Sequence, residues 1–73
     1  MTIVDARGRR CPVPLAMAKV RLEDLEPGES LTLLATDPEA PVDVGAWAAE
    51  AGHAFECAEQ GEHIEIKLTR AQG

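Results

Sequence analysis

The spacing of apolar and polar residues changes repeatedly along the chain, and each spacing predicts an element. Thr2-Ile3-Val4-Asp5-Ala6 is short and β-branched and stops before Gly8, which predicts a strand and a turn. From Pro12 to Leu25 the apolar residues recur with helical spacing. Leu15, Ala18, Leu22 and Leu25 form one stripe, Val13, Met17 and Val20 widen it, and Lys19, Arg21, Glu23 and Asp24 face away. Pro12 and Pro14 suit the first turn of that helix, where backbone N–H groups lack an intrahelical partner, and Pro27-Gly28 supplies the stop. Glu29 to Thr36 alternates with Leu31, Leu33 and Ala35 on one face and Leu34 on the other, the signature of an interior strand.

Thr36-Asp37-Pro38 breaks that strand. Val44, Trp47, Ala48 and Ala51 then recur at i, i+3, i+4 and i+7, predicting a second helix from about Ala40 to Ala51, ended by Gly52. Phe55 and Cys57 alternate with Glu56, a Gln60-Gly61 turn follows, and Ile64, Ile66 and Leu68 alternate with polar residues, which predicts a closing hairpin. The order is β-α-β-α-β-β. Two strands joined through a helix run parallel with a right-handed crossover, so the sheet is mixed and four-stranded. Polar residues on the second face of several strands put both helices on one face: an α/β (α+β) two-layer sandwich with one solvated sheet face. Residues 1–73 are expected to form a single domain, without linker or repeat.

Composition narrows the class. With one Trp, one Phe and no Tyr, the core has to come from Leu, Ile, Val and Ala, and surfaces for stacking bases are scarce. The chain has neither an apolar run of membrane-spanning length nor a signal-peptide profile, so the expectation is a cytoplasmic protein without membrane contact. Two cysteines in so short a chain suit free thiols in a reducing compartment better than a disulfide framework.

The formal charge of −6 argues against direct nucleic-acid binding. It is also unevenly spread. Up to Arg21 five cations (Arg7, Arg9, Arg10, Lys19 and Arg21) face Asp5 alone, whereas from Leu22 to Ile66 there are twelve acidic residues and no Lys or Arg. Cys11 lies inside the one basic segment.

Cys11 is placed at or beside the N-cap of the first helix, where the helix dipole and the arginines favour a thiolate and lower its pKa. Pro12 and Pro14 remove two first-turn donors, so the helix end is a poor phosphate cradle, and the N–H of Val13 is left for one sulfur or oxygen acceptor. A stiff turn displaying a thiolate suits attack on sulfane sulfur, which leaves a persulfide, one of the reversible caps on cysteine. The plainer alternative is a helix-capping cysteine among solvated arginines.

Cys57, in register with Phe55, reads as a small buried hydrophobe, with a resolving thiol for Cys11 as the alternative. His53 and His63 lack metal-ligand spacing, so no metal is expected, and no cofactor. His53 beside Gly52 reads as closing the second helix, Asp37 before Pro38 as a turn and capping residue, and Trp47 as core.

Taken together, Asp5-Ala6-Arg7-Gly8 before Cys11-Pro12-Val13-Pro14, Glu26-Pro27-Gly28-Glu29, Ala35-Thr36-Asp37-Pro38 with Asp43, and Gly52-His53 resemble the TusA-like, or SirA-like, sulfur-carrier proteins. The resemblance runs from Ile3 to Arg70 and has Cys-Pro-x-Pro at the start of the first helix as its mark. It implies a fold like the C-terminal domain of a bacterial translation initiation factor. It implies a sulfurtransferase-type carrier in which Cys11 accepts sulfur from a cysteine desulfurase or rhodanese-like donor and relays it to a downstream acceptor protein. That relay could serve tRNA thiolation, cofactor biosynthesis or sulfur metabolism. Arg9, Arg10, Pro12, Val13 and Pro14 are then expected to support the site, with Arg7, Lys19, Arg21, Asp37 and Asp43 as docking residues on a monomer. Arg9 replaces the family's usual apolar residue, and Val42 stands where a basic residue often precedes the aspartate. Two other readings are a non-catalytic regulatory or protein-binding module, and a redox protein using Cys11 and Cys57.

Overall fold

The structure, a computed structural model, describes residues 2–10 and 13–71. The elements run β1 (Thr2–Ala6), α1 (Val13–Glu23), β2 (Ser30–Ala35), α2 (Ala40–Ala51), β3 (Ala54–Gln60) and β4 (His63–Thr69). The sheet order is β1-β2-β4-β3, with β1 parallel to β2 and the other neighbours antiparallel. This is the expected order and class, with both helices on one face of a mixed sheet.

Register explains where the core sits. Residues directly opposite on paired strands share a face, so Thr2, Leu31, Leu68 and Phe55 form one row, Val4, Leu33, Ile66 and Cys57 a second, and Ala6, Ala35, Ile64 and Glu59 a third. In the first two rows Leu31, Leu33, Ile66 and Leu68 are fully buried, each contributing about 1.5–3 kcal/mol by leaving water. Ala18 and Leu22 of α1 and Ala40, Val44 and Ala48 of α2 cover them. In the third row small side chains, Ala6 and Ala35, let the helix starts approach the sheet, and Pro14 is fully buried there.

The helix ends follow from local chemistry. Gly52 at φ 81° takes the left-handed conformation that closes α2, and the His53 N–H donates to the Ala48 carbonyl at 2.9 Å. At the end of α1, Arg70 Nη1 converges on the carbonyls of Leu22, Glu23 and Leu25, so a side chain from beyond β4 satisfies acceptors the helix leaves open. No helix among the described residues is long and apolar enough to cross a membrane.

Several expected burials are corrected. Val13 and Val20 are exposed and do not widen the core stripe of α1, because the covered face ends at Pro14, Ala18 and Leu22. Ala51 is exposed at the end of α2. Cys57 is exposed too: its register with Ile66 aims it toward the helix side, but β3 is an outer strand and α2 packs near Phe55 at Gly45. Its place in the alternation was legible; the absence of a roof above it was not.

Candidate functional site

Parallel strands β1 and β2 end side by side, with Ala6 opposite Ala35, so the segments that leave them toward α1 and α2 are neighbours. Asp5 organises the first segment. It accepts from the Arg7 N–H at 3.1 Å and from Arg7 Nε and Nη2 at 2.9 Å each, and the arginine holds its pKa down at about 2. Gly8 follows at φ 80°, a conformation that costs a residue with a Cβ about 1–2 kcal/mol, and the Arg9 N–H closes the turn onto the Ala6 carbonyl at 3.1 Å. The second segment is set by Asp37: its Oδ1 accepts the Glu39 N–H at 2.9 Å and its carbonyl accepts the Ala40 N–H at 3.0 Å, leading into α2.

One hydrogen bond joins the two segments. The Gly8 N–H donates to Thr36 Oγ1 at 2.9 Å. Around it Gly8, Arg9, Arg10, Thr36, Asp37 and Pro38 line an open depression of about 440 Å³. Crevices at the C-terminal ends of strands in open α/β sheets are where such folds place their chemistry. Arg9 and Arg10 are exposed here and belong to no ion pair among the described residues.

Cys11 and Pro12 lie outside the described residues, and with them the expected N-cap position of the thiol and the expected role of Pro12. The residues on either side are described. The Val13 N–H donates to the Arg10 carbonyl at 2.9 Å, directly before α1. This corrects the expectation that the Val13 N–H is left for a sulfur or oxygen acceptor: the Arg10 carbonyl takes it. Pro14 is fully buried in the first turn of α1.

The expected docking residues do not form one surface. Arg7 is engaged with Asp5, with 51% of its side chain exposed. Lys19 lies over the Trp47 ring at 5.6 Å, beside a cleft shared with His53 and Arg70. Arg21 lines a different groove, between α1 and β1. Asp43 sits in the first turn of α2, and Asp37 alone of the group joins Arg9 and Arg10 at the depression. Trp47 is half-buried against the core and tilts against the His53 ring at 5.1 Å. The His53 side chain accepts the Ala71 N–H at Nδ1, 2.9 Å away, while its own backbone N–H closes α2 onto the Ala48 carbonyl. Thr36 and Gly8 were not recognised as partners in sequence, since the contact spans 28 positions; the one available signal was a hydroxyl residue directly after a strand parallel to the first.

Comparison with known proteins agrees with this architecture. The crystal structure of a SirA-like protein from Desulfitobacterium hafniense superposes with a TM-score of 0.88 at 28% identity, over 99% of this chain and 100% of that one. The sulfur carrier protein TusA of Pseudomonas paraeruginosa is 40% identical over 66 residues, covering 90% of this chain and 81% of its own. YrkI of Bacillus subtilis is 36% identical over 69 residues, covering 93% and 92%. YrkF of the same organism is 42% identical over 53 residues, and the match covers 29% of its length. A family model described as sulfurtransferase TusA matches residues 2–70, and the chain belongs to that family.

Proposed function

We propose that the protein carries sulfur as a persulfide on Cys11, receiving it from a donor protein and passing it to an acceptor protein. The observation that carries this reading is the arrangement beside Cys11. Two exposed arginines without ion-pair partners among the described residues, directly before Cys11 in sequence, border a depression open to solvent. An open basic ledge suits contact with another macromolecule, whereas small-substrate catalysis calls for an enclosing pocket. Names of relatives point the same way, since the protein from Pseudomonas paraeruginosa is called a sulfur carrier.

The chemistry is a substitution at sulfur. The Cys11 thiolate attacks the terminal sulfur of a donor persulfide; a new S–S bond forms to Cys11, the donor's S–S bond breaks, and the donor cysteine leaves as a thiolate. No electrons are exchanged with a third party and no cofactor is required. The second transfer is the same step with Cys11 as the leaving thiolate. Arg9 and Arg10 stabilise the anionic sulfur and attract acidic partner surfaces.

The test is intact-mass measurement after incubation with a cysteine desulfurase and cysteine, and with a rhodanese and thiosulfate. The expected result is a gain of one sulfur atom that Cys57→Ser keeps and Cys11→Ser abolishes. No Cys11-dependent gain with any donor rejects the proposal.

A further inference from the structure

β3 has β4 on one side and an open edge on the other. Its seven residues, Ala54 to Gln60, pair with β4 in one unbroken register, so no bulge turns the edge away. The strand also contains neither proline nor lysine, the common guards of such an edge. Every residue of it except Phe55 is exposed, because α2 packs over Phe55 at Gly45 and leaves the rest bare. Gln60 and His63 flank the two-residue turn Gly61-Glu62, and antiparallel pairs exchange hydrogen bonds alternately from such a turn. Ala54, Glu56, Ala58 and Gln60 therefore bond to β4, and the N–H and C=O groups of Phe55, Cys57 and Glu59 point to the open edge.

The strand matches its own reverse. A two-fold axis normal to the sheet pairs residues of one face with residues of the same face, so the axis passes through a residue. At Cys57, the middle of the strand, all seven positions find partners: Ala54 meets Gln60, Phe55 meets Glu59, Glu56 meets Ala58, and Cys57 meets its own copy. No two acids stand opposite one another in this register. An axis at Glu56 or Glu59 sets a glutamate against itself, and an axis at Ala58 runs the pairing into Gly61. Glu56 and its copy become diagonal neighbours about the axis at Cys57, and each already faces Lys67 of its own β4.

We infer that the open edge of β3 pairs antiparallel with β3 of a second copy about Cys57, joining two sheets into one of eight strands. This departs from the monomer expected from the sequence and does not depend on the carrier reading. One strand pair is small beside the roughly 1,200–2,000 Å² of stable interfaces, so the association is weak and reversible. The depression with Arg9 and Arg10 lies at the ends of β1 and β2, which β4 separates from this edge, so the pairing leaves it open in both copies. Opposed residues that exchange hydrogen bonds have α-carbons about 5.5 Å apart, inside the range a disulfide spans. Glutathione disulfide then locks the pair: one Cys57 thiolate displaces a glutathione thiolate to form a mixed disulfide, the second Cys57 thiolate attacks the Cys57 sulfur, and the other glutathione leaves as thiolate.

The experiment uses the full chain with Cys11→Ser, which leaves Cys57 as its one thiol. Sedimentation velocity between about 10 μM and about 1 mM is expected to show a dimer that grows with concentration and, on a chain of net charge −6, with added salt. Ala58→Lys sets a lysine opposite Glu56 twice in the dimer and is expected to tighten it about tenfold; Ala58→Glu sets acid against acid and is expected to weaken it by a similar factor. Val42→Lys, the control, makes the same charge change at an exposed position of α2 and is expected to do much less. Glutathione disulfide is expected to give a Cys57-linked dimer, faster in Ala58→Lys and slower in Ala58→Glu. A chain that stays monomeric through the whole range and yields only the mixed disulfide overturns the inference, and leaves the edge to a strand of another protein. A dimer that responds to Val42→Lys as strongly as to Ala58→Lys, or to neither Ala58 variant, overturns it by placing the contact elsewhere.

Discussion

The backbone N–H of Gly8 donates to Thr36 Oγ1 across 2.9 Å, tying the chain that runs into Cys11 to the chain that runs into α2. This contact holds the floor of the basic depression in one shape. Replacing Thr36 by Val keeps the volume and removes the acceptor. Thr36→Val is expected to lose about 0.5–1.5 kcal/mol of stability by urea unfolding, and Thr36→Ser to retain most of it. In the carrier reading, the valine variant also loads sulfur more slowly.

Arg70 offers a second test. Its guanidinium meets the carbonyls of Leu22, Glu23 and Leu25 at the end of α1, and the residue is partly buried. Arg70→Met keeps the apolar stem and drops the charged donors. A loss of about 1.5–3 kcal/mol is expected, seen as a lower urea midpoint with an unchanged slope. An unchanged midpoint would mean that water replaces the arginine without loss.

Asp5 and Arg7 make a prediction about pH. Arg7 lowers the Asp5 pKa from its ordinary 3.8 to about 2, chiefly by its side-chain hydrogen bonds. A folded-state pKa below the unfolded value means that the stabilisation is complete above about 3.8 and is lost as pH falls through about 2. Carboxyl NMR titration of Asp5 should give a midpoint near 2 that moves toward 3.8 in Arg7→Ala. Both groups are about half exposed, so added salt should also raise the midpoint.

Cys57 is exposed on an outer strand, and its replacement should be mild. Cys57→Ser is expected to change stability by no more than about 0.5 kcal/mol, and the native protein should show rapid alkylation at this position. Slow alkylation in the folded state would contradict the exposed placement.

The fold was legible because its signals are local. Ala40 to Ala51 was readable as a helix to the residue, since the period of Val44 and Ala48 ends at a glycine that takes φ 81°. Leu31, Leu33, Ile66 and Leu68 announced their shared face by strict alternation. Legibility failed where the answer depends on what lies across from a residue. Cys57 alternates like a core residue but has no helix above it, and Val20 continues an apolar stripe past the edge of the sheet. At the candidate site, residue type and charge single out Cys11 and its arginines; Arg9 and Arg10 line the depression, and Cys11 lies outside the described residues. The Val13 N–H was misassigned because a hydrogen bond back to Arg10 leaves no trace in composition.

The strand order has a consequence for how the chain is made. β4, the last element in sequence, is an inner strand: it lies between β2 and β3, and its Ile66 and Leu68 complete the rows begun by Leu33 and Leu31. During synthesis at about 5–20 residues per second, β1, α1, β2 and α2 emerge before the strand that closes their core exists. Closure of this core waits for β4, which makes these long-range pairings a late event. In the carrier reading, a partner that reads the folded surface therefore meets its target only after β4 has been added.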